Sequence, residues 1–251
     1  MPTHICRDLV FALLISGFGL VAEAGCDDPP GRRVQWSQCD LSERNLAGED
    51  LRNATLGRAV LNRANLEGAN LRGAQMSGAR LIDARLAEAR LDGAVLTGAD
   101  LSGADLQGAR LNGARLSRAR LANSRLEGAL ARGARFYDAD LVQADLSRAD
   151  LSRANLDQAR LTEAKLNGAQ LERATLLDAN LELSDLSEAS LHKAKLDGAL
   201  LVDADLSRAD LSGASLAGAD LTGAVLDGAR LDHVIWVDRR RCRPGSVGEC
   251  R

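Results

Sequence analysis

A period of five runs through most of this chain and leaves few folds open to it. From Leu41 to Leu231 every fifth residue falls in one register, and 36 of those 39 residues are Leu. The exceptions are Met76, Ala131 and Phe136. Two residues before each, from 54 to 229, Ala stands at 34 of 36 places, with Ser124 and Ser184 at the others. An α-helix repeats at 3.6 and a strand at 2, so neither puts an apolar residue on one face every fifth position. Leu and Ala both point inward only if the chain turns a corner within each five. Four such corners close a square lap of 20 residues, and laps stack at about the 4.8 Å spacing of paired strands. Contacts confined to neighbouring units make such a chain a solenoid. The lap predicts Leu101 stacked between Leu81 and Leu121.

The unit reads Ala-Asp-Leu-x-x, as in Ala99-Asp100-Leu101-Ser102-Gly103 and Ala104-Asp105-Leu106-Gln107-Gly108. This resembles the A-[DN]-L-x-x signature of the pentapeptide repeat family, over residues 34–238. The resemblance implies an all-β fold, a right-handed quadrilateral β-helix of about ten coils with capped ends.

Charge supports the 20-residue lap independently. The residue before each Leu faces outward, and one column 20 apart reads Arg80, Asp100, Arg120, Asp140, Arg160. The next reads Arg85, Asp105, Arg125, Asp145, Lys165, Asp185. Alternating signs favour this register by roughly 0.2–1 kcal/mol per exposed pair, towards the low end. Arg90 over Arg110 and Arg115 over Arg135 break the rule. The glycines at many fifth positions are read as corner residues.

Residues 1–24 read as a signal peptide: Arg7, an apolar run from Leu9 to Ala22, and an Ala22-Glu23-Ala24 cleavage site. That run is too short for a stable membrane span. The remaining chain holds four cysteines, Cys26, Cys39, Cys242 and Cys250, which fits disulfides in an oxidising compartment, with the periplasm expected. A lipid anchor on Cys26 after Gly25 is the alternative, although it would strand one other cysteine. Residues 25–33 form a turn-rich lead-in and cap, and 239–251 a Cys-bounded C-terminal cap. Four cysteines allow three pairings; short loops favour 26–39 and 242–250. The ending Cys242-Arg-Pro-Gly-Ser-Val-Gly-Glu-Cys250 resembles that of exported members of the family. A stacked coil exposes strand edges and an apolar bore. Trp36, five before Leu41, and Trp236, five after Leu231, are expected to plug it.

One lap is irregular inside. Ala131 leaves space where a Leu belongs, and Phe136 at the next corner is oversized. The expected exchange has the Phe136 ring leaning into the space beside Ala131.

No motif for chemistry emerges. Of the histidines beyond the signal, His192 and His233 take surface places in different parts of the solenoid, and no phosphate loop, metal-spaced set or nucleophile elbow appears. The expectation is therefore a non-enzyme without catalytic, cofactor or metal site. Lys plus Arg total 32 and Asp plus Glu 35, so composition advertises no field for nucleic acid or membrane. The expected role is an exported structural or protein-interaction scaffold with an unknown protein partner, as monomer or end-to-end dimer. Tyr137, Leu177, Leu183, Leu200 and Val202 form a candidate contact patch near one edge. The alternative comes from the resemblance alone, since some family members imitate duplex DNA and bind DNA gyrase. Those are cytoplasmic, strongly negative and joined at their C-terminal ends. The export signal, the balanced charge and the Arg239-Arg240-Arg241 tail all depart from them.

Overall fold

Each five-residue unit has five backbone N–H groups, and the fold follows from where they go. The computed structural model describes residues 25–251; the signal peptide expected at 1–24 lies outside the described residues. In the unit starting at Leu101, the Leu101 amide donates to Arg120 O at 2.7 Å and the Gly103 amide to Ala122 O at 3.0 Å, both on the next coil. The Ala104 amide closes a tight turn on Leu101 O, at 3.0 Å. The Asp105 amide reaches the preceding coil at Ala84 O, at 2.9 Å. The fifth amide, Ser102, donates to its own neighbour's side chain, Asp100 Oδ1, at 3.1 Å.

That last bond gives the Asp or Asn before Leu a local purpose. A short carboxylate or amide oxygen accepts the amide two residues on and holds the turn. The same bond recurs at Asp105–Gln107, Asp145–Ser147, Asn180–Glu182 and Asp205–Ser207. The turn also demands a left-handed residue two after the Leu. Every such position from Gln38 to His233 has positive φ, between 53° and 72°. Glycine is the cheapest residue there, and Gly fills 17 of those 40 places. The other 23 are strained L-residues held by the stack.

Coils are joined by 37 parallel bridges, all between residues i and i+20. They form four sides, running from Gln35 to Ile235, Asp40 to Asp220, Asn45 to Val225 and Asp50 to Arg230. Asp100 bridges Arg80 and Arg120, which places Leu101 in the spine of Leu81 and Leu121, all three fully buried. The all-β expectation needs one correction. Among the described residues no continuous strand forms, because a corner every five residues leaves each side a single bridge wide. The interior is almost entirely Leu and Ala, with Met76 and Phe136 among the exceptions, and Ser124 and Ser184 fit by donating their hydroxyls to Leu121 O and Leu181 O. Ala131 and Phe136 are both buried on the same coil.

The two ends differ. At the first coil, Cys26 is disulfide-bonded to the inward Cys39, with Cα atoms 5.4 Å apart. Trp36 beneath is fully buried, with the Arg44 guanidinium 5.7 Å from its ring centre. Turn geometry already begins inside the lead-in, where the Val34 amide donates to Gly31 O and Arg33 has φ 61°. At the far end Trp236 is only partly buried. The chain leaves register just after it and returns antiparallel, pairing Ile235 with Arg241 and Arg230 with Val247. The tail, tied by Cys242–Cys250, therefore lies over two sides. On the other two, Leu221, Ala224 and Leu226 stay partly exposed and Val225 is 44% exposed.

Candidate functional site

With the interior spent on packing, only the outward residues differ from coil to coil. They sit on four sides and four corners, each corner holding the two residues after a Leu. Corners are named here by a member: the Arg132 corner (32/33, 52/53 and on to 232/233), then those of Tyr137, Leu183 and Glu67.

The expected contact patch is not gathered at one edge. Tyr137 and Leu177 share a corner two coils apart, with Asp157 between them, and Tyr137 Oη donates to Gln158 Oε1 at 2.7 Å. Leu183 and Val202 lie on the next corner, on adjacent coils, where the Leu183 amide donates to Val202 O at 2.9 Å. Leu200 stands on the side between, bridged to Asn180. The patch thus spans one side from corner to corner. Leu183 is 57% and Leu200 39% exposed, while Leu177 and Val202 are half-buried. Leu130, Val225 and Val247 are comparably exposed elsewhere; they fall outside the pattern that drew attention to the first set.

The histidines require a correction. His192 and His233 are 41 positions apart, and a 20-residue lap brings both to the Arg132 corner. They line one groove of about 520 Å³ with Lys193, Ser212, Asp232 and Arg241. His192 Nδ1 lies 2.7 Å from Ser212 Oγ. Asp210 Oδ1 accepts the Ser212 amide and its Oδ2 faces Arg230. Among the described residues no three His, Cys, Asp or Glu side chains are placed to hold a metal ion, and no helix is long and apolar enough to cross a membrane.

Charge is the larger surprise. Although basic and acidic residues nearly cancel in total, the lap sorts them. The Arg132 corner carries eight basic residues against three acidic ones (Asp92, Glu172, Asp232), a net of +5. Each other corner carries five acids against one or two bases. The side next to the basic corner adds Arg115, Arg135 and Lys195 and no acid. The like-charged step Arg115–Arg135 belongs to this basic surface, and the other, Arg90–Arg110, is eased by Asp92, 3.3 Å from Arg110. The alternating columns form bridges at the expected spacing, but only some ion pairs. Arg120 reaches Asp100 at 3.7 Å, Arg160 reaches Asp140 at 3.5 Å and Arg125 reaches Asp105 at 3.6 Å. In each the Arg is one coil beyond its Asp.

Several carboxylates are held in the ionised form. Hydrogen bonding from Arg52, against a counteracting cost of burial, brings Asp50 down to about 2. For Asp150 and Asp210 burial is the largest influence and pushes upward. Hydrogen bonds from Ser152 and Arg132, and from Ser212 with Arg230 nearby, outweigh it and leave both below the usual range.

A family model described as pentapeptide repeats matches eight copies within residues 37–235. HetL, a pentapeptide repeat protein involved in heterocyst differentiation regulation from the cyanobacterium Nostoc sp. strain PCC 7120, is 35% identical over 84% of this chain and 92% of its own, with a TM-score of 0.39. A pentapeptide repeat protein of the Arabidopsis thaliana thylakoid lumen is 33% identical over 44% of this chain and 67% of its own, with a TM-score of 0.33. QnrB1, a plasmid-mediated fluoroquinolone resistance protein, is 20% identical over 80% of this chain and 91% of its own, with a TM-score of 0.41. A comparison with curated proteins returned no match. The repeat signature, the four-sided lap and the span of the family match agree: this chain belongs to the pentapeptide repeat family, whose fold is the right-handed quadrilateral β-helix.

Proposed function

We propose that the protein is an exported, non-enzymatic interaction rod of about ten coils, tied by a disulfide at each end, that presents a protein partner with rigidly spaced side chains. The observation that carries this is the exposure of Leu183, 57% accessible on a corner with φ 58°. An apolar side chain held outward on an unyielding frame, with Leu200 and Val202 beside it, suits a contact made without rearrangement. The two disulfides support an oxidising compartment, with the periplasm as the expected site. A net +5 corner running along the rod opposes the alternative of duplex-DNA mimicry, which needs a negative surface throughout.

The test is a photo-crosslinker placed in living cells at Leu183, with a second at the exposed Glu67, on a corner that holds no residue of the patch. A discrete adduct from position 183 alone, lost when Leu200 is changed to Lys, supports the patch. Identical adducts from both positions, or adducts indifferent to Leu200→Lys, remove it from consideration.

A further inference from the structure

Arg132, Arg153, Arg173 and Lys193 occupy one corner on four successive coils, so their backbones recur at about 4.8 Å along the rod. Arg132, Arg153 and Arg173 border a groove of about 560 Å³ with Gly133, Ser152 and Glu172. The acids nearby are occupied. Asp150 takes the Nε–H of Arg132, and the two oxygens of Glu172 accept the hydroxyls of Ser152 and Ser190 at 2.9 and 2.8 Å. Arg153, Arg173 and Lys193 make no ion pair among the described residues. Arg135 and Lys195 extend the positive field onto the adjoining side.

From this we infer that the Arg132 corner binds a linear acidic polysaccharide, laid along the rod axis and offering one acid group to each coil. The ridge is one residue pair wide, which suits a single chain better than a membrane plane or a duplex. Single-stranded nucleic acid relies on aromatic platforms, and the corner has none. An extended acidic peptide presents same-side residues about every 6.6 Å, and falls out of step with the coils within a few residues. The rise of one pyranose along an extended glycan is of the same order as one coil, so an acid group passes each coil, and groups turned to the flank of the ridge meet Arg135 and Lys195 on the adjoining side. Acidic residues on the other three corners restrict such a chain to this one.

The fold itself supplies a clean variant. Arg153, Arg173 and Lys193 have φ of 59°, 57° and 58°, so Arg153→Gly, Arg173→Gly and Lys193→Gly remove three charges while relieving backbone strain. A matched control, Arg58→Gly, Arg118→Gly and Arg148→Gly, removes three charges from left-handed positions on other corners. Binding of the purified full-length protein to polygalacturonate, heparin and poly-L-glutamate would be measured by calorimetry at low salt, with circular dichroism confirming the fold of each variant. The expected result is glycan binding weakened at least about tenfold in the ridge variant, the combined loss of three exposed ion contacts, and less than about twofold in the control. The stronger of the two glycans identifies the preferred acid group. Failure of both glycans to bind, equal losses in the two variants, or poly-L-glutamate binding as tightly at equal charge would each overturn the inference.

Discussion

Arg132 donates from Nε to Asp150, eighteen residues further on, and ties the basic corner of one coil to the side of the next. Asp150 is 4% exposed, and its Oδ1 also accepts the Ser152 amide at 3.2 Å. One carboxylate thus completes a turn, anchors an arginine and joins two coils. Carboxylates in this position are expected to make the rod's stability depend on acid.

The folded-state pKa values of Asp40, Asp50, Asp150, Asp210 and Asp220 are all lowered. A lowered folded pKa contributes stability above the unfolded value, about 3.9 for Asp, that is lost as pH falls through the folded one. Thermal unfolding is therefore expected to be flat from pH 7 to about 5, and to weaken below about pH 4 as the unfolded chain takes up protons first. Asp150→Ala should cost about 1.5–3 kcal/mol at neutral pH, the range for hydrogen bonds to a charged group. Asp150→Asn, which keeps an acceptor for Ser152, should cost less. A melting temperature that climbs between pH 5 and 2.5 contradicts this account.

Phe136 and Ala131, neighbouring core residues of one coil, are both buried. If the ring fills the space that a Leu at 131 would take, Phe136→Ala should lose about 3–5 kcal/mol. The double change Ala131→Leu with Phe136→Leu should recover most of what either single change loses, since total volume is restored. Denaturant titration of Phe136→Ala, the two single Leu changes and their double decides it, and wild-type stability in Phe136→Ala would end the idea.

Reduction of Cys26–Cys39 should expose the indole below it. The bond spans 13 residues, for which the loop-entropy model predicts about 3 kcal/mol. In a Trp236→Phe background, fluorescence reports Trp36 alone. A red shift on adding reductant, and in Cys26→Ser without it, is expected while the central coils keep their protection from hydrogen exchange. Unchanged emission argues that the first coil closes without the disulfide.

Corner residues should respond in opposite directions. Gly103 has φ 68°, and a Cβ there would collide with Asp83 Oδ1 on the preceding coil. Gly103→Ala should lose at least about 1–2 kcal/mol, the cost of an L-residue in the left-handed region. Leu183→Gly, at φ 58°, should keep or raise stability despite the added freedom of the unfolded chain. Thermal melts of the two variants side by side check the sign.

Much of this architecture was legible in the residues alone. The spacing of Leu101 from Leu81 and Leu121 led to the 20-residue lap, and short loops favoured the disulfides that form. Other features were hidden by reading residues singly. His192 and His233 look remote until their separation is taken modulo one lap, and the net charge conceals the basic corner for the same reason. Sorting residues by corner would have revealed both. The Asp before each Leu invited an explanation in ion pairs between coils, yet its commonest bond is to an amide two residues away. That local bond leaves no periodic trace in charge.

The amino-acid order dictates the lap, because only a corner every fifth residue buries all the Leu and Ala. Three-dimensional packing decided the rest. It closed the first coil over Trp36 but left Trp236 half-covered, since the returning tail has length for only two sides. It also set Arg153, Arg173 and Lys193 in a line, although each lies 20 residues from the next. Stacking turns separation along the chain into adjacency across coils, and side chains meet their partners only once that adjacency exists.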